Sequence, residues 1–257
     1  MKQSTLIDQQ FGSVASAYLT STVHASGADL DVLKEMAQRY QRPHVLDLGC
    51  GAGHVSFVMA PFSASVIAYD LSQSMLDVVQ TSATNRNLHN IETRAGEAEH
   101  LPFEDNSFDI IVTRFSAHHW GDVSTALQEI YRVLRQAGVA IVIDITASED
   151  ALYDTTLQAV ELLRDASHVR DYRESEWAMM FAGAGFRHAT MDRWRLKMVF
   201  DDWIARMRTP QERVIAIRSL LDSASDETRS HFCIQADYSF FIDAAMFELK
   251  KQPYCKE

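Results

Sequence analysis

The stretch Val45-Leu46-Asp47-Leu48-Gly49-Cys50-Gly51-Ala52-Gly53 decides how the chain folds. An apolar run suited to a buried strand gives way to three glycines at every second position, and His54 to Ala60 is apolar enough to continue as a helix. Strand, glycine turn, helix is a nucleotide-type turn: without Cβ atoms a ligand approaches closely, and backbone amides gather at the helix start. The dinucleotide fingerprint G-x-G-x-x-G needs its third glycine for helix–strand packing, and here His54 occupies that place. Asp47 would repel a pyrophosphate and welcome an ammonium group. The spacing therefore implies a ligand with an amino acid end rather than a nicotinamide dinucleotide.

Outward from this loop, strands and helices alternate. Residues 28–41 carry Leu30, Leu33, Ala37 and Tyr40 at helical steps, and Pro43 ends that helix. Ser65–Tyr69 reads as a second strand ending in Asp70, with Ser72 placed to cap the next helix through Ala83. Ile91–Ala95 and Phe108–Thr113 are further strands. Residues 122–135 form an amphipathic helix punctuated by Gly138, and Val139–Ile145 is a buried central strand. This rhythm predicts an α/β fold with a Rossmann-like, doubly wound, mostly parallel seven-stranded sheet. After residue 147 the pattern changes: helices over 149–165 and 175–182, an alternating strand over Arg187–Val199, helices broken at Pro210 over 201–235, and a last strand over Ser239–Leu249. One domain is expected, with 1–147 as α/β core and N-terminal lid helix, and 148–257 completing the sheet and supplying a helical, substrate-binding cover. Tyr153, Tyr172, Trp177, Trp194, Trp203 and Met179-Met180 are the residues of that cover from which an apolar pocket could be lined.

Asp70 lies 17 residues beyond Gly53, where a carboxylate can accept from both hydroxyls of a ribose or simply begin the Ser72 turn. At this point the sequence resembles the class I S-adenosylmethionine-dependent methyltransferases. Val45–Gly53 looks like their glycine motif, Tyr69–Leu76 is similar to their second motif, Gly96–Phe103 with Ser107-Phe108-Asp109 to their third, and Glu129–Arg135 followed by Gly138 to their fourth. Within that superfamily the blocks are most similar to the ubiquinone/menaquinone-biosynthesis C-methyltransferases, the type 11 group. The four blocks span residues 45–145, and no motif of that kind is seen beyond 147.

The resemblance implies S-adenosyl-L-methionine as cofactor and S-adenosyl-L-homocysteine as product. It implies that Asp47, Gly49, Cys50, Gly51 and Gly53 hold the methionine end and Asp70 the ribose diol. Leu71 or Met75 would lie against the adenine, Glu97 would accept from its exocyclic amine, and the Ala98 amide would donate to a ring nitrogen. Glu97 stands where the family usually has Asp, and Gln136-Ala137-Gly138 replaces its usual Pro-Gly-Gly. Phe11, Ala15 and Tyr18 match an N-terminal element that closes over the cofactor in related enzymes, which makes Tyr18 a catalytic candidate. Such a lid excludes water and holds the linear geometry of methyl transfer.

The sulfonium is already an activated donor, so the protein's tasks are alignment and, for an acidic acceptor, proton removal. His118 and His119 follow the fourth strand, at the edge where open α/β sheets bind ligands, and are the base candidates. Arg114 is placed to bind a substrate or cofactor carboxylate, while His54 and Asp109 read as structural.

The 257 residues carry 24 Lys+Arg against 35 Asp+Glu, a net charge of −11. That balance argues against an extended polyanion, so a small-molecule substrate is expected and no nucleic acid. Apolar residues at 47% allow a full core, yet no run is long enough to span a bilayer. The first twenty residues lack a secretory stretch, and a cytoplasmic location is expected. Cys50, Cys233 and Cys255 form no disulfide framework, no H-x-x-H spacing occurs, and no metal is expected. The leading expectation is methyl transfer to a small, apolar or aromatic metabolite. A methyltransferase of protein or RNA and a non-catalytic cofactor binder stand as alternatives, and a nicotinamide oxidoreductase fits the glycine spacing worst.

Overall fold

The computed structural model describes residues 2–12 and 27–252. Its elements run α1 (Gln3–Gly12), α2 (Ala28–Arg39), β1 (His44–Leu48), α3 (His54–Met59), β2 (Ser65–Asp70), α4 (Gln73–Asn85), β3 (Ile91–Ala95), β4 (Phe108–Arg114), α5 (Val123–Val133) and β5 (Leu134–Ala147). There follow α6 (Ala151–Arg164), β6 (Tyr172–Arg173), α7 (Glu174–Gly183), β7 (Phe186–Met198), α8 (Phe200–Arg206), α9 (Gln211–Asp222), α10 (Asp226–His231) and β8 (Phe240–Lys251).

The sheet runs β3-β2-β1-β4-β5-β8-β7, seven strands in line, with two-residue β6 paired to β5 outside that path. Strands β1 to β5 are parallel, and β8 inserts antiparallel between β5 and β7. The fold is thus the Rossmann-like α/β sheet that the sequence predicts. Successive strand residues face opposite sides, so both faces must be covered. On one side Leu46, Ile111 and Val142 pack with Leu127 and Ile130 of α5 and with Trp177 and Phe181 of α7. On the other, Val45, Ile110 and Ile141 pack with Leu33 of α2 and Val79 of α4. A third cluster joins Ile145 and Ile242 to Val160, Trp203 and Ile217 of the C-terminal helices.

Two local expectations are corrected. Ser72 does precede α4, but its hydroxyl makes no cap bond and is buried without a partner; Asp70 Oδ1 instead accepts from the Ser72 N–H at 2.9 Å. Gly138 is not a turn between helix and strand. Strand β5 already starts at Leu134, opposite Phe108, and pairing resumes at Val139 opposite Ile110 after an irregularity. A Cβ on Gly138 would stand 2.8 Å from the Asp109 carbonyl, so the close strand approach requires glycine there. Asp109 is structural, as read: Oδ2 accepts from the His44 N–H at 2.8 Å and from Arg135 at 2.6 Å, tying β1, β4 and β5 together.

Candidate functional site

The chain leaves β1 toward β2 on one side and returns to β4 on the other, so the carboxyl ends of β1, β2 and β4 border a crevice at the topological switch point. A cavity of about 510 Å³ lies there. Asp47 enters it from β1, Asp70 from the end of β2, and Arg114 from the end of β4. Gly49, Cys50 and Gly51 form one wall, Leu71 and Met75 another, and Glu97 with Ala98 a third. Residues of α1, among them Ser4, Ile7 and Phe11, also line the cavity.

The glycine loop is held inward. The N–H groups of Gly49 and Cys50 both donate to the Tyr69 carbonyl (2.8 and 3.1 Å), Gly51 N–H donates to Asp70 Oδ2 (2.8 Å), and Gly53 N–H to the Cys50 carbonyl (2.9 Å). Gly51 has φ +49° and its missing Cβ would meet nothing within 4 Å, so it opens onto the cavity. Gly53 is not among the residues that line the cavity. At φ +87° it caps α3, and a Cβ there would stand 2.9 Å from Val79 and 3.0 Å from Phe57. It does the helix-packing work that the dinucleotide fingerprint gives to a later glycine.

Asp47 is buried, and its Oδ2 accepts from both the N–H and the hydroxyl of Ser56 at 2.9 and 2.6 Å. Burial pushes its carboxyl up to about 7 despite those bonds. Burial likewise raises Asp70 and, well above its ordinary value, the Cys50 thiol. Arg114 donates to Asp29 of α2, and both side chains are nearly closed off from solvent. Its charge is therefore matched within the protein, although the side chain also touches the cavity.

The histidine pair divides. His119 lines the cavity, with its Nδ1 3.2 Å from the Ser167 carbonyl and its ring edge-on to Phe11 at 4.9 Å. Burial and the neighbouring His118 lower its ring to about 4. His118 lies outside that cavity. Its Nδ1 bonds Asp144 Oδ1 at 2.5 Å, and the Asp144 charge overrides the lowering by burial and raises the ring to about 9. Both rings border a smaller cavity of about 80 Å³, lined also by Phe115, Ile145, Met198 and Trp203 and by Glu161, Asp165 and Asp171. His119, Phe11 and Phe115 are shared by the two cavities. Tyr18 and Ala15 lie outside the described residues.

Of the expected cover residues, Trp203 reaches the smaller cavity, Trp177 is core beside Phe181, and Met179 is exposed. Sequence reading passed over Asp144, Asp165 and Asp171, and took His54, which borders the large cavity, as structural. An acid inside the apolar run Val139–Ile145 was the available signal for Asp144, since unpaired carboxylates are rarely buried.

A doubly wound sheet with an acid-flanked glycine loop at its switch point defines a Rossmann-like nucleoside-binding protein. The methyltransferase domain family matches residues 46–142. The chain is 45% identical over 203 residues to the uncharacterized protein YafE of Escherichia coli K12, covering 79% of this chain and 98% of that one. It is 38% identical over 224 residues to the uncharacterized methyltransferase YcgJ of Bacillus subtilis 168, covering 87% and 88%. The YcgJ crystal structure superposes with a TM-score of 0.84 over 88% of this chain and 99% of that chain, at 35% identity. A more distant relative, the demethylmenaquinone methyltransferase of Listeria monocytogenes serotype 4a, is 30% identical over 166 residues, 56% of this chain and 70% of that one. The chain belongs to the methyltransferase domain family, within the class I S-adenosylmethionine-dependent methyltransferases. Among the described residues no helix is long and apolar enough to cross a membrane.

Proposed function

We propose that the 510 Å³ cavity takes S-adenosyl-L-methionine and that the chain transfers its methyl group to a small, apolar or aromatic metabolite in the cytoplasm. The observation that carries this reading is the inward-bonded loop. With the N–H groups of Gly49, Cys50, Gly51 and Gly53 all engaged, and the carboxyls of Asp47 and Asp70 beside them, the rim offers a diphosphate few donors and two repelling groups. The same rim suits an ammonium at Asp47 and a ribose diol at Asp70, whose oxygens each have a second lone pair beyond the Gly51 and Ser72 bonds. Leu71 and Met75 supply an apolar wall for the adenine, with Glu97 and Ala98 at its edge.

Residues 148–252 serve as the acceptor cover, and the smaller cavity is where the acceptor enters. On this reading His119, in the wall common to both cavities, takes a proton from it, and the supporting observation is that the His118 ring lies 4.3 Å from the His119 ring. Calorimetry tests the cofactor assignment. S-adenosylhomocysteine binds one per chain, NAD does not, and Asp70→Asn weakens the binding by about 1–3 kcal/mol. No measurable binding of S-adenosylhomocysteine overturns the reading.

A further inference from the structure

We propose that His118, Asp144 and Asp171 form a binding site for one divalent transition-metal ion, at the wall of the smaller cavity and apart from the large one. One ligand atom from each of the three residues can be chosen so that all lie within 4.8 Å of one another. They come from the turn after β4, from β5 and from the segment before β6, so three separately anchored parts of the backbone converge on one point.

Three features make this a place for a cation. Asp171 is 1% exposed, yet its Oδ2 has no hydrogen-bond partner. A buried carboxylate oxygen left unpaired is costly, and a positive charge at that point removes the cost. Next, Asp144 is also 1% exposed, and among the described residues no arginine or lysine forms an ion pair with either carboxylate. The nearby arginines are committed elsewhere: Arg164 to Glu161, and Arg170 and Arg173 to Asp154. Two buried carboxyl groups that converge on one imidazole, with no guanidinium or ammonium among the described residues paired to either, make a donor set suited to a divalent ion. Third, the would-be ligands are already oriented. Asp144 Oδ2 accepts from the Ala117 N–H and its Oδ1 from the Ile145 N–H, each at 2.9 Å, which fixes the carboxylate plane as outer partners do in metal sites.

His118 and Asp171 both border the smaller cavity, which gives an ion its way in and leaves coordination positions facing that space. An ion seated here replaces the proton shared by His118 Nδ1 and Asp144 Oδ1 and parts those atoms to about 3 Å, as ligand bonds of about 2.0–2.2 Å require. One imidazole with two carboxylates is a donor set for Mn²⁺, Fe²⁺ or Zn²⁺ rather than for soft, thiolate-seeking ions. Spacing rules do not find such a site, because its ligands are 26 and 27 residues apart in sequence.

The site is independent of the cofactor reading, since neither Asp144 nor Asp171 borders the large cavity. The test uses the full chain, stripped with a chelator and titrated with MnCl₂ and separately with ZnCl₂ by calorimetry, with Mn²⁺ also followed by electron paramagnetic resonance. The expected result is one ion per chain at micromolar affinity or tighter. Asp171→Asn should weaken it at least tenfold while leaving S-adenosylhomocysteine affinity unchanged. His118→Gln should weaken it similarly and serves as the measure if Asp171→Asn does not fold. Absence of one-to-one binding of both ions overturns the proposal, as does binding that neither substitution alters. Failure of S-adenosylhomocysteine to bind a chain that still takes up Mn²⁺ would overturn the cofactor reading alone.

Discussion

On the proposed cofactor reading, Asp47 couples folding to ligand. The unfolded chain gives up this proton near 3.8, whereas burial holds it in the folded chain up to about 7. Between those values the folded state binds more protons than the unfolded one, so this group's contribution to stability falls as pH rises from about 4 to about 7 and is level above. Asp47→Asn should lack that decline, which thermal unfolding at a series of pH values would reveal. A ligand ammonium favours the ionised carboxylate. Affinity for S-adenosylhomocysteine should therefore rise by up to about tenfold per pH unit toward pH 7 and then level off. A flat calorimetric profile would remove Asp47 from the amine site. Asp47, Asp70 and Glu97 were legible as site candidates because each stands in or just beyond a strand end beside a recognisable turn. Asp144 and Asp171 were not, because their meaning depends on His118, which only the sheet and the 165–171 segment bring to them.

At the scale of elements, α1 bridges structures that belong to both halves of the chain. Gln3 Nε2 donates to the Ser167 carbonyl at 2.7 Å, and Gln10 Nε2 donates to the Met207 carbonyl at 3.0 Å. Phe11 meets the His119 ring, and Gln3, Ser4, Ile7 and Phe11 of the helix line the large cavity. Each of these neutral hydrogen bonds is worth about 0.5–1.5 kcal/mol. Replacing both glutamines with alanine should speed S-adenosylhomocysteine dissociation several-fold in stopped-flow measurements while shifting the melting temperature little. An unchanged rate would show that α1 does not gate the cavity. Of the stripe Phe11, Ala15 and Tyr18 only Phe11 falls within the described residues, and the two glutamines were not legible, because polar anchors have no periodicity to betray them. The same limit explains β5. Gly138 after an amphipathic helix signals a stop, and α5 does stop at Val133, but the irregular pairing of β4 with β5 is a property of two strands that one stretch of sequence does not display.

For the whole molecule, size and charge bear on what the acceptor is. The net charge of −11 gives no long-range attraction to a polyanion, and counterion release would not drive one to the surface. On the proposed reading the acceptor reaches the edge of the large cavity past α1 or comes through the smaller cavity of about 80 Å³, whose walls are Phe115, Met198 and Trp203 with carboxylates and histidines. On that same reading, a folded protein or structured RNA would have to displace α1 or the C-terminal helices, which the Trp203, Val214 and Ile217 core holds down, to bring a reactive group there. Methyl-labelled S-adenosylmethionine incubated with the protein and a cell extract should therefore deliver its label to molecules that pass a 3-kDa filter (roughly the mass of a short peptide), in an amount that falls when Asp70→Asn is used. Label retained on protein or RNA, and lost on protease or nuclease treatment, would mean that the cover opens far wider than its packing implies, and would transfer the acceptor assignment to a macromolecule.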